Sequence, residues 1–403
     1  MELFWLEHKK LWRKKIVKIC VLLCFVYCVI FGSILSFQWF CFGSSDDYTS
    51  AFGNNFDGYT VIKDSQEYAL SFGGELTDET LQQIVSDYQQ MEADGMEEEL
   101  EKTDWQIVNS WLGTLYPELR DTGNYKTMIS YVDPDKLTGF YERRQQVLDE
   151  FLEVSGQVGA EKEYLHQIDG KVEKPFHYEW VEGWSTLLGS MVADLGVVMA
   201  LFLGIVLSSL FAGEWHDNTS TLVLTTRNGW GKIALAKILT GLAFTVELFA
   251  LLAVSSVISQ LFFMGTAGWN MPIQNIKLIA VAPMNMLQAE IYEYAFVLLG
   301  AIGFAGIVMF ISAAVKNNVL TLLLSLTVVY GPMMIAEYLP YGMQKALDLI
   351  PLVGSSTDIF RTNTFRIFGK LIWSPYLLIT IPVLIGILCM PFAIKSWSRR
   401  MKA

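Results

Sequence analysis

Six long apolar stretches constrain this chain more than any other feature of its sequence. A helix of about 20 apolar residues crosses a hydrocarbon layer of about 30 Å, and each stretch has roughly that length or more. The hydrophobic residue content of 52% and the mean hydropathy of +0.36 agree, because a soluble enzyme of 403 residues rarely reaches such values. The stretches are residues 16–42, 187–211, 233–264, 294–315, 319–335 and 371–394. The sequence therefore predicts an all-α polytopic membrane protein with six transmembrane helices.

Lysine and arginine residues gather at alternate ends of these stretches, and six of them lie within the first 18 residues. Positively charged loops tend to stay in the cytoplasm, so we expect both termini on the cytoplasmic side of the cell membrane. The first stretch is too long for the apolar core of a signal peptide, which has about 7–15 residues, and no A-x-A-like cleavage site follows it. We expect an uncleaved anchor over residues 16–42.

One predicted outside loop departs from this charge rule, since it contains several cations between spans five and six. Either the departure is chance, or an apolar piece at residues 346–353 dips back into the membrane, as buried irregular backbone can. The topology is the same under both interpretations. The cations are Lys345, Arg361, Arg366 and Lys370.

Residues 1–15 predict a cytoplasmic helix that lies in the plane of the membrane surface. At about 100° per residue, its bulky apolar side chains share one side and its cations lie mostly on the other, as expected for an interfacial helix. The apolar set is Phe4, Trp5, Leu11, Trp12 and Ile16.

Residues 43–183 predict a separate domain outside the membrane. They contain 30 acidic and 10 basic residues, a net charge of −20, whereas the rest of the chain carries +8. Their apolar periodicity is mainly helical, with Thr77 as a plausible N-cap. The acidity indicates either solvation of an extracellular surface or electrostatic capture of a cationic peptide or drug.

The chain carries no pattern for bond chemistry. It has no G-x-x-x-x-G-K-[ST], no G-x-S-x-G and no strand-preceded G-x-G-x-x-G, and its four histidines are widely separated. It also has no CxxC or HExxH, so we expect no metal site, no cofactor and no enzymatic activity.

The segment after the second span carries the most specific pattern. Its residues are Phe211, Glu214, Thr219, Leu222, Leu224, Arg227 and Lys237. This pattern resembles the membrane subunits of type-2 ABC exporters, in which F-x-x-E is followed by G-T, a leucine pair, an S/T-P-x-R-like turn and a lysine that opens the third span. Asn218 replaces the glycine of that pattern and Thr226 the proline.

The layout is also similar to that family, with an interfacial helix, a large insert after span one and five spans in residues 184–403. Residues 174–184 and 365–369 look like permeases of this type from Gram-positive bacteria. The resemblance implies a permease subunit that pairs with an identical or different permease and with separate ATPase subunits, and that exports a peptide, antimicrobial or other amphipathic compound. We expect the lipid bilayer but no nucleic acid among its partners. The loop 213–232 would couple to the ATPase through Glu214, Thr219, Leu222, Leu224, Arg227 and Lys232.

Two features inside the predicted spans invite further hypotheses. Glu247 lies in the middle of span three, where a carboxylate is usually paired, protonated or exposed to water, so it is either a structural hydrogen-bonding group or a contact for a cationic substrate in the pathway. Span two has a small residue at every fourth position, which favours close helix packing. Because the row drifts around the helix, one partner helix cannot follow it throughout. The row is Gly196, Ala200, Gly204, Ser208 and Ala212.

A different class of function is a membrane sensor or scaffold, whose extracellular domain binds a peptide and relays that event to a cytoplasmic partner. An ion-coupled carrier is a third possibility, but it would require several intramembrane charges or broken helices, and Glu247 alone does not meet that requirement.

Overall fold

The computed structural model describes residues 2–27, 66–67, 69, 73–96, 105–121, 126–188, 192–220, 231–354 and 362–399. Most of these residues are helical, as the sequence predicts. Within these ranges, five helices are long and apolar enough to cross a membrane. Of the predicted first span, residues 16–27 are helical and residues 28–42 lie outside the described part.

The chain begins with α1 (Glu2–Arg13), and a break at Lys14 separates it from the helix over residues 15–27. One stripe of these two helices is buried against the bundle of long helices, at Leu11, Val17, Cys20 and Cys24. The apolar Trp5 and Leu6 are exposed, and contact of this helix with a membrane surface stays a prediction.

The acidic insert is built on a short antiparallel pair of strands, β1 (Gly74–Leu76) and β2 (Phe176–Tyr178). Between them the described residues form four helices and short 3-10 turns. The apolar faces of the first three pack into one core, and the fourth packs in a second cluster through Leu165 and Ile168. The helices are α2 (Asp78–Ala93), α3 (Trp105–Leu115), α4 (Phe140–Val154) and α5 (Ala160–Asp169).

Caps fix the ends of these helices. The predicted N-cap Thr77 accepts the N–H of Thr80 at 3.2 Å. The Asp78 carboxylate accepts the N–H groups of Gly139 and Phe140 at 2.7 and 2.9 Å, so it satisfies first-turn donors of α4. These contacts join the start of α2 to the start of α4.

After the insert come α6 (Glu182–Thr186) and the long helices α7 (Val192–His216), α8 (Lys232–Met264), α9 (Met286–Val315) and α10 (Asn318–Ile335). The short α11 (Tyr341–Leu347) and an antiparallel hairpin, β3 (Thr364–Ile367) and β4 (Lys370–Trp373), precede the last long helix, α12 (Ser374–Arg399). We call the end of the bundle where α8 meets α9 the insert side, and the other end the opposite side.

The insert is completed by the segment between α8 and α9. Arg144, which is fully buried, forms a bidentate pair with Asp169 at 2.6 and 3.1 Å. Its remaining donors reach the carbonyl oxygens of Leu278 at 2.7 Å and Ala280 at 3.0 Å. Trp111 Nε1 likewise donates to the Asn275 carbonyl oxygen at 3.0 Å. The insert is therefore bonded to the bundle at residues 275–280 as well as through its own chain ends.

Glycines allow α9 and α12 to pack closely. A Cβ at Gly303 would overlap the carbonyl oxygen of Pro382, and a Cβ at Gly306 would overlap that of Gly386. Small residues permit such approach between helices where lipid supplies no hydrophobic drive.

The apolar piece at 346–353 folds back along α9. Leu352 lies against Gly300, and the Pro351 ring lies against the position of a Cβ at Gly303. Gly300 is 14 residues into α9, or about 21 Å from its start at a rise of 1.5 Å per residue. This position favours the hypothesis that the segment dips back beside the long helices.

The same region accounts for two of the cations that depart from the charge rule. Arg366 of β3 pairs with Glu161 of the insert at 2.6 Å. Lys345 donates to the Thr364 carbonyl oxygen at 2.7 Å and lies over the Phe365 ring at 5.2 Å. Arg361 is outside the described residues. These two cations serve packing between α11, the hairpin and the insert.

Candidate coupling site at the ends of α7 and α8

Glu214, in the last turn of α7, is only 3% exposed on the opposite side of the bundle. A buried carboxylate requires partners, and Glu214 has three. Its Oε1 lies 2.9 Å from Lys237 Nζ and 2.5 Å from Lys10 Nζ, and its Oε2 accepts a hydrogen bond from Thr219 Oγ1. Glu214 therefore joins α7 to α8, to α1 and to the connection that follows α7.

Lys237 is the second buried member, at 2% exposure on the second turn of α8. Besides Glu214 it contacts Glu7 Oε2 of α1 at 2.8 Å. Two carboxylates and two ammonium groups, Glu7, Lys10, Glu214 and Lys237, thus balance in formal charge. We call these four residues the charge network.

The lysines of the first helical segment respond to this network. Burial opposes the charge of Lys10, but the hydrogen bond to Glu214 and the surrounding carboxylates outweigh it and raise the pKa of Lys10. Burial, together with the nearby charges of Lys237 and Lys10, lowers the pKa of Lys14, whose Nζ donates to Ser209 Oγ at 2.9 Å. Lys10 is therefore firmly held as a cation, while Lys14 lies at the edge of the same pocket.

Glu247 is held by α1. His8 Nε2 lies 3.1 Å from its Oε1, and Trp12 Nε1 donates to its Oε2 at 3.0 Å. The Trp12 ring also meets the Phe244 ring at 5.8 Å between centroids. The Glu247 side chain is 42% exposed, so it is a structural partner of α1 and is also open to its surroundings. Its role as a pathway residue stays a prediction.

The connection from α7 to α8 is described only at its two ends. Asn218, where the exporter pattern has glycine, has a left-handed φ of 57°, which asparagine tolerates better than most residues. Thr219 folds back onto Glu214, and Lys232 is exposed at the start of α8. Leu222, Leu224 and Arg227 lie outside the described residues, so their predicted contacts stay predictions.

An aromatic cluster supports the end of α7. Lys316 Nζ lies 4.1 Å from the centroid of the Trp215 ring, and Trp215 meets Trp397 at 6.1 Å. Trp397 also meets Phe211 at 5.5 Å and is fully buried. Trp397 of α12 therefore packs against the end of α7.

The small residues of α7 face two helices in turn. Gly204 lies against Leu322 and Leu326 of α10. Further along, the Ser312 hydroxyl of α9 donates to the Ser208 carbonyl oxygen at 2.7 Å and accepts the N–H of Ala212 at 3.1 Å. Ala200 is buried, and a Cβ at Gly196 would meet no atom within 4 Å. Close packing against α9 fixes the end of α7 that carries Glu214.

The sequence identified Glu214, Thr219 and Lys237 as residues of the site. It did not identify Glu7 and Lys10 as partners of this site, or His8 and Trp12 as partners of Glu247. The helical wheel of α1 was available as a signal, since it places Glu7, Lys10 and Lys14 within two turns. The wheel predicts a polar face, but it does not say that this face is buried against protein.

Comparison with known protein families, with curated proteins and with solved structures finds no match for this chain.

Proposed function

We propose that this chain is the permease subunit of an ATP-binding cassette exporter of the type-2 class, and that separate ATPase subunits drive it. The charge network is the observation that carries the proposal. It joins the opposite-side ends of α7 and α8 to α1, at the connection where the sequence resembles the coupling segment of that family.

The physical argument is mechanical. The network transmits a displacement because its contacts are short and two of its members, Glu214 and Lys237, are buried, so separating these two leaves each one desolvated and unpaired. A partner that moves the 217–232 connection would therefore move α7, α8 and α1 together. Under this proposal the opposite side is cytoplasmic and the insert is extracellular. A helix over residues 16–42 is the sixth span, and two copies or two related chains enclose the pathway in the cell membrane.

Purification of the full-length chain in mild detergent from its native membrane tests the proposal. We expect an ATP-binding subunit with a G-x-x-x-x-G-K-[ST] loop to co-purify and the complex to hydrolyse ATP. Replacing Arg227 by Glu, or both Leu222 and Leu224 by Ala, should reduce hydrolysis at least tenfold, a change of about 1.4 kcal/mol in activation free energy. The matched control is Glu337→Gln at an exposed position on the insert side. Native ATP hydrolysis in the coupling variants would contradict the proposal.

A sensor or scaffold is the second candidate, and a specific observation favours it. The insert is bonded through Arg144 and Trp111 to the segment between α8 and α9, so an event on the insert would reach those two helices directly. A sensor would co-purify with a signalling partner and show no ATP hydrolysis that depends on the 217–232 connection.

A further inference from the structure

Two carboxylates of α9 are buried. Glu290 is 4% exposed and Glu293 is fully buried. Neither carboxylate oxygen of Glu293 has a hydrogen-bond partner among the described residues, whereas Glu290 interacts with the Tyr294 hydroxyl one turn further along α9. Their spacing of three residues places both on one face of the helix. An ionised carboxylate is very unfavourable in such a place, and two on one face also repel each other.

The surroundings offer apolar groups and occupied polar groups. On one side, Met286 and Ala289 belong to the apolar cluster under the insert, and on the other, Phe296 and Val297 belong to the core of the bundle. The Tyr294 hydroxyl is 2.9 Å from Ser256 Oγ, and Tyr292 donates to the Pro375 carbonyl oxygen at 2.9 Å. The titratable groups on the described elements packed here are Glu182 of α6, the exposed Lys277, Tyr292 and Tyr294 of α9, and Tyr376 of α12.

We propose that Glu290 and Glu293 form a proton-binding site at the junction between the insert and the long helices, with at least one of the two carboxyl groups protonated at neutral pH. A proton bound to a carboxylate oxygen removes the charge and needs no further ligand. Calcium takes six to eight oxygen ligands and magnesium six. No group of three or more His, Cys, Asp or Glu that could hold a metal ion occurs in the part of the chain that the structure describes.

The site has a consequence for the packing of the molecule. Glu293 is seven residues into α9, about 10 Å from the end that the insert covers. Loss of its proton creates a charge between two apolar clusters, and that charge favours separation of α9 from its neighbours. The junction therefore becomes less stable as the pH rises. This inference does not depend on the proposed export function.

Infrared spectroscopy tests the protonation directly. The full-length protein, purified in detergent, is compared in light and heavy water at neutral pH with the double variant Glu290→Gln, Glu293→Gln. We expect the wild type to show a carbonyl band of a protonated carboxyl group that shifts in heavy water and is missing from the variant. Absence of that band from the wild type would overturn the proposal, whether or not the variant folds.

Thermal unfolding supplies the second readout. Because the folded state retains a proton that the unfolded state releases, the unfolding free energy of the wild type falls as the pH rises. We expect its Tm to drop by about 3–5 °C more than that of the double variant Glu290→Gln, Glu293→Gln between neutral pH and about pH 9, a range in which buried carboxyl groups can titrate. Glu337→Gln, at an exposed carboxylate, should behave as the wild type. A wild-type drop no larger than that of the double variant, or a sodium-specific stabilisation, would overturn the proposal.

Discussion

At the scale of the residue, Lys237 is the position where the charge network can be tested most sharply. Lys237→Met keeps the apolar stem and removes the charge, so Glu214 and Glu7 are left with Lys10 as the remaining network cation. Removing one partner of a buried pair costs about 3–5 kcal/mol, and we expect a loss of this size in the unfolding free energy. The measurement is denaturation of the purified protein in detergent, with Lys232→Met at the exposed start of α8 as the matched control.

A double variant separates charge balance from packing. Glu214→Gln combined with Lys237→Met removes one charge of each sign and leaves Glu7 and Lys10 as a balanced pair. We expect it to be more stable than Lys237→Met alone, because no unmatched carboxylate remains buried. If the double variant were less stable than Lys237→Met, packing of the side chains and not charge balance would account for the stability of the network.

Tyr141 predicts a pH dependence of the insert. Its hydroxyl donates to the Leu76 carbonyl oxygen at 2.8 Å and accepts the Phe176 N–H at 2.6 Å, and burial raises its pKa to about 12. Since the unfolded value is about 10, the stabilisation is fully present below about pH 10 and is lost as the pH rises towards 12. Tyr141→Phe should flatten that loss and cost about 1–2 kcal/mol at neutral pH. Unfolding curves across this range check it, with Tyr338→Phe at an exposed ring as the control.

Single residues also show the limit of prediction from the sequence. Glu214 and Lys237 could be identified because they lie in a local pattern around one loop. Their α1 partners are more than 200 positions away, and no local signal pairs residues at that separation. Glu247 was recognised as unusual for the same local reason, while His8 and Trp12 were not connected with it.

At the scale of the element, the glycines of α9 predict how closely α12 can approach. Gly306→Ala would place a methyl group onto the Gly386 carbonyl oxygen, so the two helices must separate, and we expect a loss of about 1–3 kcal/mol. Gly196→Ala on α7 is the matched control, because a Cβ there meets no atom within 4 Å and alanine favours the helix. Thermal unfolding of both variants is the measurement. Equal stability of the two would contradict the close packing of α9 on α12.

The ends of the elements were harder to predict than their existence. Residues 294–315 were predicted as a span, but α9 begins at Met286 because Asn285 and Gln288 form a reciprocal capping box. That Asn-x-x-Gln spacing is visible in the sequence. Glu290 and Glu293 lie between this box and the predicted start of the span, and two carboxylates do not meet the apolar criterion by which a span is recognised.

At the scale of the whole molecule, charge predicts that the insert is a separate domain but not how it is held. Its core includes Leu278, which belongs to the segment between α8 and α9, and Asn275 Nδ2 donates to the His177 carbonyl oxygen at 2.7 Å. These contacts come from short apolar and amide groups with no distinctive pattern. Composition therefore defines the insert along the chain, while packing extends it onto the bundle.

Arg144 tests that attachment. Arg144→Met leaves Asp169 buried with Lys174 at 3.9 Å and removes both hydrogen bonds to residues 278–280. We expect a loss of about 3–5 kcal/mol, with faster amide hydrogen exchange in α5 and at 278–280 together. The neighbouring Arg143→Met removes a partly exposed pair with Glu118 and should cost about 1 kcal/mol or less. If exchange became faster in α5 alone, the insert would not be anchored at residues 278–280. An event on the insert would then have no direct route to α8 and α9 through Arg144.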